Sequence, residues 1–195
     1  MSEMTKQPED VIQDTKKFII DTARRFFSEY SYLGVSMNDI AKKLNITKAA
    51  LYYHFSSKAE IYENVLNNVI SDLNQVITEA KKETTIDKKI HKLIKNYLDF
   101  GFKEKNLIKA LMSKLSPPND KITSQIANLR GKIANIIQPL IDEALASKYL
   151  MKNISSQLFT SLLIGMMDGL VLEYSFLDKK IDSEKVSNQI IAVLF

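Results

Sequence analysis

Cysteine is absent from the 195 residues, and histidine occurs only twice, at positions 54 and 91. Without cysteine there is no disulfide, no thiolate nucleophile and no cysteine-ligated metal site. The stretch 85–195 holds a single histidine, His91, which reads as a surface residue, and no nucleophile–base–orienter set. An enzyme is therefore not expected, nor is any cofactor or metal. Glycine (5) and proline (4) are scarce, which favours a chain built from helices. An excess of one charge is also lacking: 27 basic against 23 acidic residues leave a net +4, a weak argument for nucleic acid taken alone. The opening MSEMTKQPED is acidic and polar, unlike a secretory leader, so a cytoplasmic protein is expected.

Long apolar runs are scarce too. The one at 158–177, LFTSLLIGMMDGLVLEYSFL, has the length of a membrane span. Asp168 and Glu173 argue against insertion, because an aspartate near the centre of a span costs roughly 2.5–3.5 kcal/mol. The soluble alternative is a helix buried on two faces, one toward its own domain and one toward a second copy of the chain. No membrane partner is expected.

What is present is concentrated between 36 and 62. Ser36 stands three residues before Asp39, the spacing of a capping box that starts a helix through Ile40, Ala41 and Leu44. Asn45 tolerates the left-handed conformation that a helix C-terminus needs. Thr47 caps a second short helix, Lys48 to about Tyr53, and Ala41, Leu44, Ile46 and Leu51 are spaced to meet where the two helices cross. This is a helix-turn-helix. Its second helix carries Thr47, Lys48, Tyr52, Tyr53 and His54 outward, all able to donate hydrogen bonds to phosphates or base edges. Four lysines (42, 43, 48 and 58) face one acid, Asp39, within 36–58.

The passage Ser36, Ile40-Ala41, Asn45-Ile46, Thr47, Leu51-Tyr52-Tyr53-His54-Phe55, Lys58 and Ile61 resembles the DNA-binding motif of the TetR family of repressors. Asn45 stands where that family usually has glycine, and Ala49 where glycine is common. The resemblance implies that Lys48 and Tyr53, with Thr47 and Ala49, face bases. Ser36, Tyr52, His54 and Lys58 would hold phosphates, Lys58 from the first turn of a helix whose N-terminus already attracts an anion.

Around the motif the apolar spacing gives about nine helices and an all-α fold. Pro8-Glu9-Asp10 opens a helix to about Tyr30. Ser57-x-x-Glu60 is read as a full capping box for a long helix with an unbroken apolar stripe to about Lys82. Thr84-x-x-Asp87 caps a fifth helix through Gly101. Residues 103–106 break the pattern before a sixth helix from Leu107 to Leu115. Asp120–Ala146, with Pro139 expected to kink it, 153–177 and 182–195 complete the set. The expected division is a DNA-binding head at 8–60, with its recognition helix at about 47–53, and a helical ligand-binding and dimerisation domain at 61–195.

The last two helices are too apolar for a monomer surface, and Ile164-Gly165-Met166-Met167-Asp168-Gly169-Leu170 is similar to the passage that forms a four-helix dimer interface in TetR-like proteins. Gly165, Gly169, Ile190 and Leu194 are the expected contact residues. The resemblance also implies an effector cavity among helices five to eight, for which Tyr97, Phe100, Met112, Ile133, Ile137, Phe159, Met166 and Met167 are the candidates. The reading is then a homodimeric repressor on a palindromic double-stranded DNA operator, released by a small, mainly hydrophobic effector. Its rivals are an activator, or a ligand-independent DNA-binding or protein-interaction protein on the same fold.

Overall fold

The structure is a computed structural model that describes residues 8–112, 120–149 and 153–194. All the secondary structure among them is helical: α1 (Pro8–Tyr30), α2 (Met37–Leu44), α3 (Lys48–His54), α4 (Lys58–Lys81), α5 (Ile86–Lys103), α6 (Lys105–Met112), α7 (Asp120–Ala146), α8 (Ser156–Phe176) and α9 (Ser183–Leu194).

The helix ends are set by short-range chemistry. Ser36 accepts from the Asp39 N–H while the Asp39 carboxylate accepts from the Ser36 N–H at 2.9 Å, completing the expected box on α2. Asn45 closes α2 in the left-handed conformation, φ 54°. Thr47 accepts from the Ala50 N–H at 3.0 Å and starts α3. Two expected caps differ. Ser57 does accept from the Glu60 N–H, but the Glu60 carboxylate reaches back one residue further, to the N–H and hydroxyl of Ser56. At α5 the capping position falls on Thr85 rather than Thr84, and Thr85 makes no side-chain cap bond. Its hydroxyl instead bonds the Asp87 carboxyl and holds it below the usual range. The break between α5 and α6 is the single residue Glu104, so α6 starts two residues earlier than its apolar pattern suggested.

Two apolar cores result, and α4 belongs to both. Ile61, Tyr62, Val65, Leu66 and Val69 join Ile19, Ala23, Phe27, Val35, Ile40, Leu51 and Phe55 in the first; Leu73, Ile77 and Ala80 enter the second, among α5, α7, α8 and α9. The first core closes only with Leu107 of α6 and Leu129 of α7, and Phe100 and Ile133 pack against both cores. The 8–60 segment thus completes its core with side chains from beyond residue 60. Arg24 adds a polar tie across the same seam, its guanidinium donating to Asp72 at 2.6 Å and forming a fork on Glu104 at 3.0 and 3.3 Å.

Helix α8 is long and apolar enough to cross a bilayer by length and composition. Here it packs sideways on α5, α6 and α7, burying Phe159, Leu163, Ile164, Met167 and Val171. Its approach to α5 is close: a Cβ on Gly101 would lie 2.8 Å from Val171 Cγ2.

Candidate nucleic-acid interface

Helix α3 buries one residue, Leu51, and is held at its start by Thr47 and at its end by the Phe55 N–H, which donates to the Leu51 carbonyl at 3.0 Å. Its opposite side is bare: Thr47, Lys48 and Ala49 are exposed, and Tyr52 and Tyr53 are 45 % and 75 % exposed. The two tyrosines stand open beside a core that takes Met37, Ile40, Leu51, Phe55 and Ile61. The Lys48 ammonium lies 5.8 Å from the Tyr52 ring centre and the Tyr53 ring stands edge-on to His54, so the side chains sit as one group on one face. Ser36, exposed at the start of α2, belongs to the same helix-turn-helix. His54, half-buried at the end of α3, has its Nδ1 buried without a hydrogen-bond partner. The one acid in this region is held in the capping box: hydrogen bonds from the Ser36 hydroxyl and N–H stabilise the Asp39 carboxylate and hold it below the usual range.

The Lys58 ammonium turns inward, donating to the carbonyls of Tyr32 and Val35 at 2.8 Å each and lying 4.2 Å from the Tyr32 ring centre. Two of its N–H groups bond the chain's own turn, because the first turn of α4 packs on the α1–α2 connection. Sequence spacing gave no sign of this, since the partners are 23 and 26 residues away.

The expected effector residues belong to the second core. Tyr97, Ile137, Phe159 and Met167 are buried, while Phe100, Ile133 and Met166 are partly buried against the same cluster. The side chain of Met112 lies outside the described residues. Two hollows lie at other helix seams. One of about 360 Å³ lies between α4 and α7, bounded by Leu66, Asn67, Ile70, Leu129 and Lys132; another of about 530 Å³ lies between α5 and α9. Inside the core the Tyr97 hydroxyl donates to Asp168 at 2.8 Å and Arg130 pairs with the same carboxylate at 3.1 Å. Asp168 therefore ties α8 to α5 and α7. Burial pushes its carboxyl up, against the opposing pull of Tyr97 and Arg130.

On the outer side of α8, Gly165 and Gly169 have open space where a Cβ would project. Leu158, Leu162, Phe176 and Leu177 are exposed around them, as is Val193 of α9. Ile190 was expected on this surface and is instead buried in its own core with Val186, and Leu194 is partly buried there. On α9 the residues four apart, Val186 and Ile190, turn inward, and Val193 is the one that faces out.

Comparison with known proteins matches this architecture. Residues 19–65 match the family described as bacterial regulatory proteins, tetR family, and residues 62–195 match the C-terminal region of YsiA-like proteins. The biofilm operon icaADBC negative transcriptional regulator IcaR of Staphylococcus aureus (strain Newman) is 32 % identical over 169 residues, 84 % of this chain and 86 % of that protein. The fatty acid degradation regulator FadR of Bacillus halodurans superposes with a TM-score of 0.80 at 17 % identity, covering 97 % of this chain and 95 % of that one. FadR of Bacillus subtilis, solved in complex with stearoyl-CoA, gives 0.77 at 20 % identity, covering 90 % and 95 %. With its helix-turn-helix and its C-terminal helices both matched, this chain belongs to the tetR family of bacterial regulatory proteins.

Proposed function

We propose that the protein is a transcriptional repressor that binds a palindromic operator as a homodimer, acts in the cytoplasm and catalyses no reaction. The observation that carries this is the bare face of α3: a helix fixed by its caps, with one buried residue and an outer side of Thr47, Lys48, Ala49, Tyr52 and Tyr53. Lys48, Tyr53, Thr47 and Ala49 face base edges in the major groove, and Ser36, Tyr52 and His54 hold phosphates. The second copy docks on the bare apolar side of α8 and α9, around Gly165 and Gly169. Two recognition helices then stand one DNA turn apart, roughly 34–36 Å, or a multiple of it.

Release by a small hydrophobic effector is the favoured form of regulation. The argument is the seam where Phe100 and Ile133 touch both cores: a ligand that displaces either moves the head. Stearoyl-CoA, the ligand of the Bacillus subtilis structure, is a suitable first compound. One observation favours the ligand-independent rival, namely that Tyr97, Ile137, Phe159 and Met167 are buried together in the second core. Selecting binding sites from a random-sequence duplex pool tests the DNA reading. The expected product is an inverted repeat, and recovery of no enriched sequence refutes it. Titrating long-chain acyl-CoA and other apolar compounds into the selected complex separates the two forms of regulation.

A further inference from the structure

We infer that Lys58 is a positioning residue for DNA recognition: it clamps the α1–α2 turn to the start of α4 and so sets where the helix-turn-helix presents Ser36 and α3. The inference rests on the DNA-binding reading above and gives Lys58 a different part in it.

The turn needs a clamp. α1 ends at Tyr30, Ser31 beyond it turns to φ 60°, and Gly34 approaches the preceding turn so closely that a Cβ would lie 2.2 Å from the Tyr30 carbonyl oxygen. The chain then passes through Val35, which is buried, to Ser36, the N-cap of α2. The carbonyls of Tyr32 and Val35 flank that passage and need donors. Lys58 supplies both from one ammonium, 2.8 Å from each, with the Tyr32 ring 4.2 Å away. The ring is itself fixed, 4.8 Å from Tyr62 of α4, which stands edge-on to Phe27 of α1 at 5.1 Å. Burial raises the Tyr62 and Tyr32 hydroxyls, so both rings stay neutral beside the ammonium.

The position of the lysine is informative. Lys58 is the first residue of α4, where the helix dipole disfavours a cation. A charge there does nothing for α4 itself. Two carbonyls and an aromatic face offset the penalty, and those groups belong to the α1–α2 turn. Because α4 runs on from Lys58 to residues of the second core, displacement of α4 pulls on this turn directly.

The experiment uses the full-length protein with Lys58→Met, which keeps the stem and removes the donors, and Lys58→Arg, which restores them. Operator affinity is measured on a duplex selected by the native protein and on an unselected duplex, each over a series of salt concentrations. Hydrogen exchange is followed without DNA. Lys58→Met is expected to weaken the selected duplex about tenfold, the scale of one lost charge-assisted hydrogen bond, with little change on the unselected duplex. The slope of log affinity against log salt stays that of the native protein, and exchange quickens in the 31–40 segment. Lys58→Arg recovers most of the affinity. A slope reduced by about 0.9 per protomer, as loss of a phosphate contact gives, overturns the inference. So does equal weakening of both duplexes with faster exchange throughout the head, which marks general destabilisation. Unchanged exchange at 31–40 refutes the clamp whether or not the protein binds DNA, so its failure is distinct from failure of the DNA reading.

Discussion

Helices α3 and α8 each leave one side bare, and the two sides are chemically opposite. α3 exposes hydroxyls, an ammonium and two phenols; α8 exposes Leu158, Leu162, Phe176 and two glycines. A polar face with a few apolar rings stays soluble and meets a polyanion by hydrogen bonds and charge. An apolar face of this extent is costly to leave in water and fits a second apolar face. One chain thus carries one surface suited to DNA and another suited to its own copy, and the two can be broken independently.

The largest effect is expected on α8. Leu162→Glu places a carboxylate at the middle of the bare apolar face, where pairing with a second copy buries it without a partner. That costs roughly several kcal/mol for the dimer. Light scattering should then show monomer at concentrations where the native protein is dimeric, and operator affinity should collapse because the two half-sites are no longer linked. Circular dichroism of the variant should be unchanged, since Leu162 is 55 % exposed in the single chain. A fully dimeric variant refutes the assigned interface.

A pair of glycines sharpens the contrast between the inside and the outside of α8. Gly101→Ala drives a methyl against Val171 at 2.8 Å and should lower unfolding free energy by about 1–3 kcal/mol. Gly169→Leu meets nothing within 4 Å in the single chain. Its effect should fall on the dimerisation constant, not on the unfolding of a monomerised background such as Leu162→Glu. Chemical denaturation at two protein concentrations distinguishes them.

On α3, Lys48→Ala should remove roughly 1–3 kcal/mol of discrimination at one position of each half-site. Repeating the site selection with the variant reads this as relaxed preference at one base pair, with dimerisation untouched. Loss of affinity that is uniform over all sequences would reassign Lys48 to a phosphate.

The same contrast explains what was legible in the sequence. The caps of α2 and α3 depend on residues within four positions of each other, so Ser36, Asp39, Asn45 and Thr47 could be read directly. The bounds of α7 followed similarly from its apolar period. The bonds of Lys58 to Tyr32 and Val35 could not be read, because those partners lie 26 and 23 residues away across a turn. Ile190 was misplaced since apolar content does not say which side of a short amphipathic helix turns inward. The effector candidates show the same limit. Large flexible side chains can line a cavity or fill a core, and the apolar pattern alone gives Phe159 and Met167 only as buried. Arg24 lay unmarked because its partners Asp72 and Glu104 are 48 and 80 residues away.

The smallest effect, and the one with a sign to check, concerns the two shifted aspartates. Hydrogen bonds from Ser36 hold Asp39 low, so its contribution is present above the ordinary carboxylate range and is lost as pH falls through its lowered value. Burial pushes Asp168 up, so the folded protein binds that proton more tightly than the unfolded chain does. Stability then falls as pH rises from the ordinary aspartate value, near 3.8, through the raised one. Asp168→Asn removes this charge but keeps an oxygen to accept from the Tyr97 hydroxyl, and it leaves Arg130, itself 46 % exposed, to be solvated. The variant should differ from the native protein by less than about 1 kcal/mol at neutral pH, because Arg130 is open to water and an exposed ion pair contributes little. Urea unfolding at fixed protein concentration over a pH series should show the native protein losing stability relative to the variant as pH rises through that window. If the native protein gains on the variant instead, the Arg130 pair outweighs burial, and Asp168 is a net stabilising charge like Asp39.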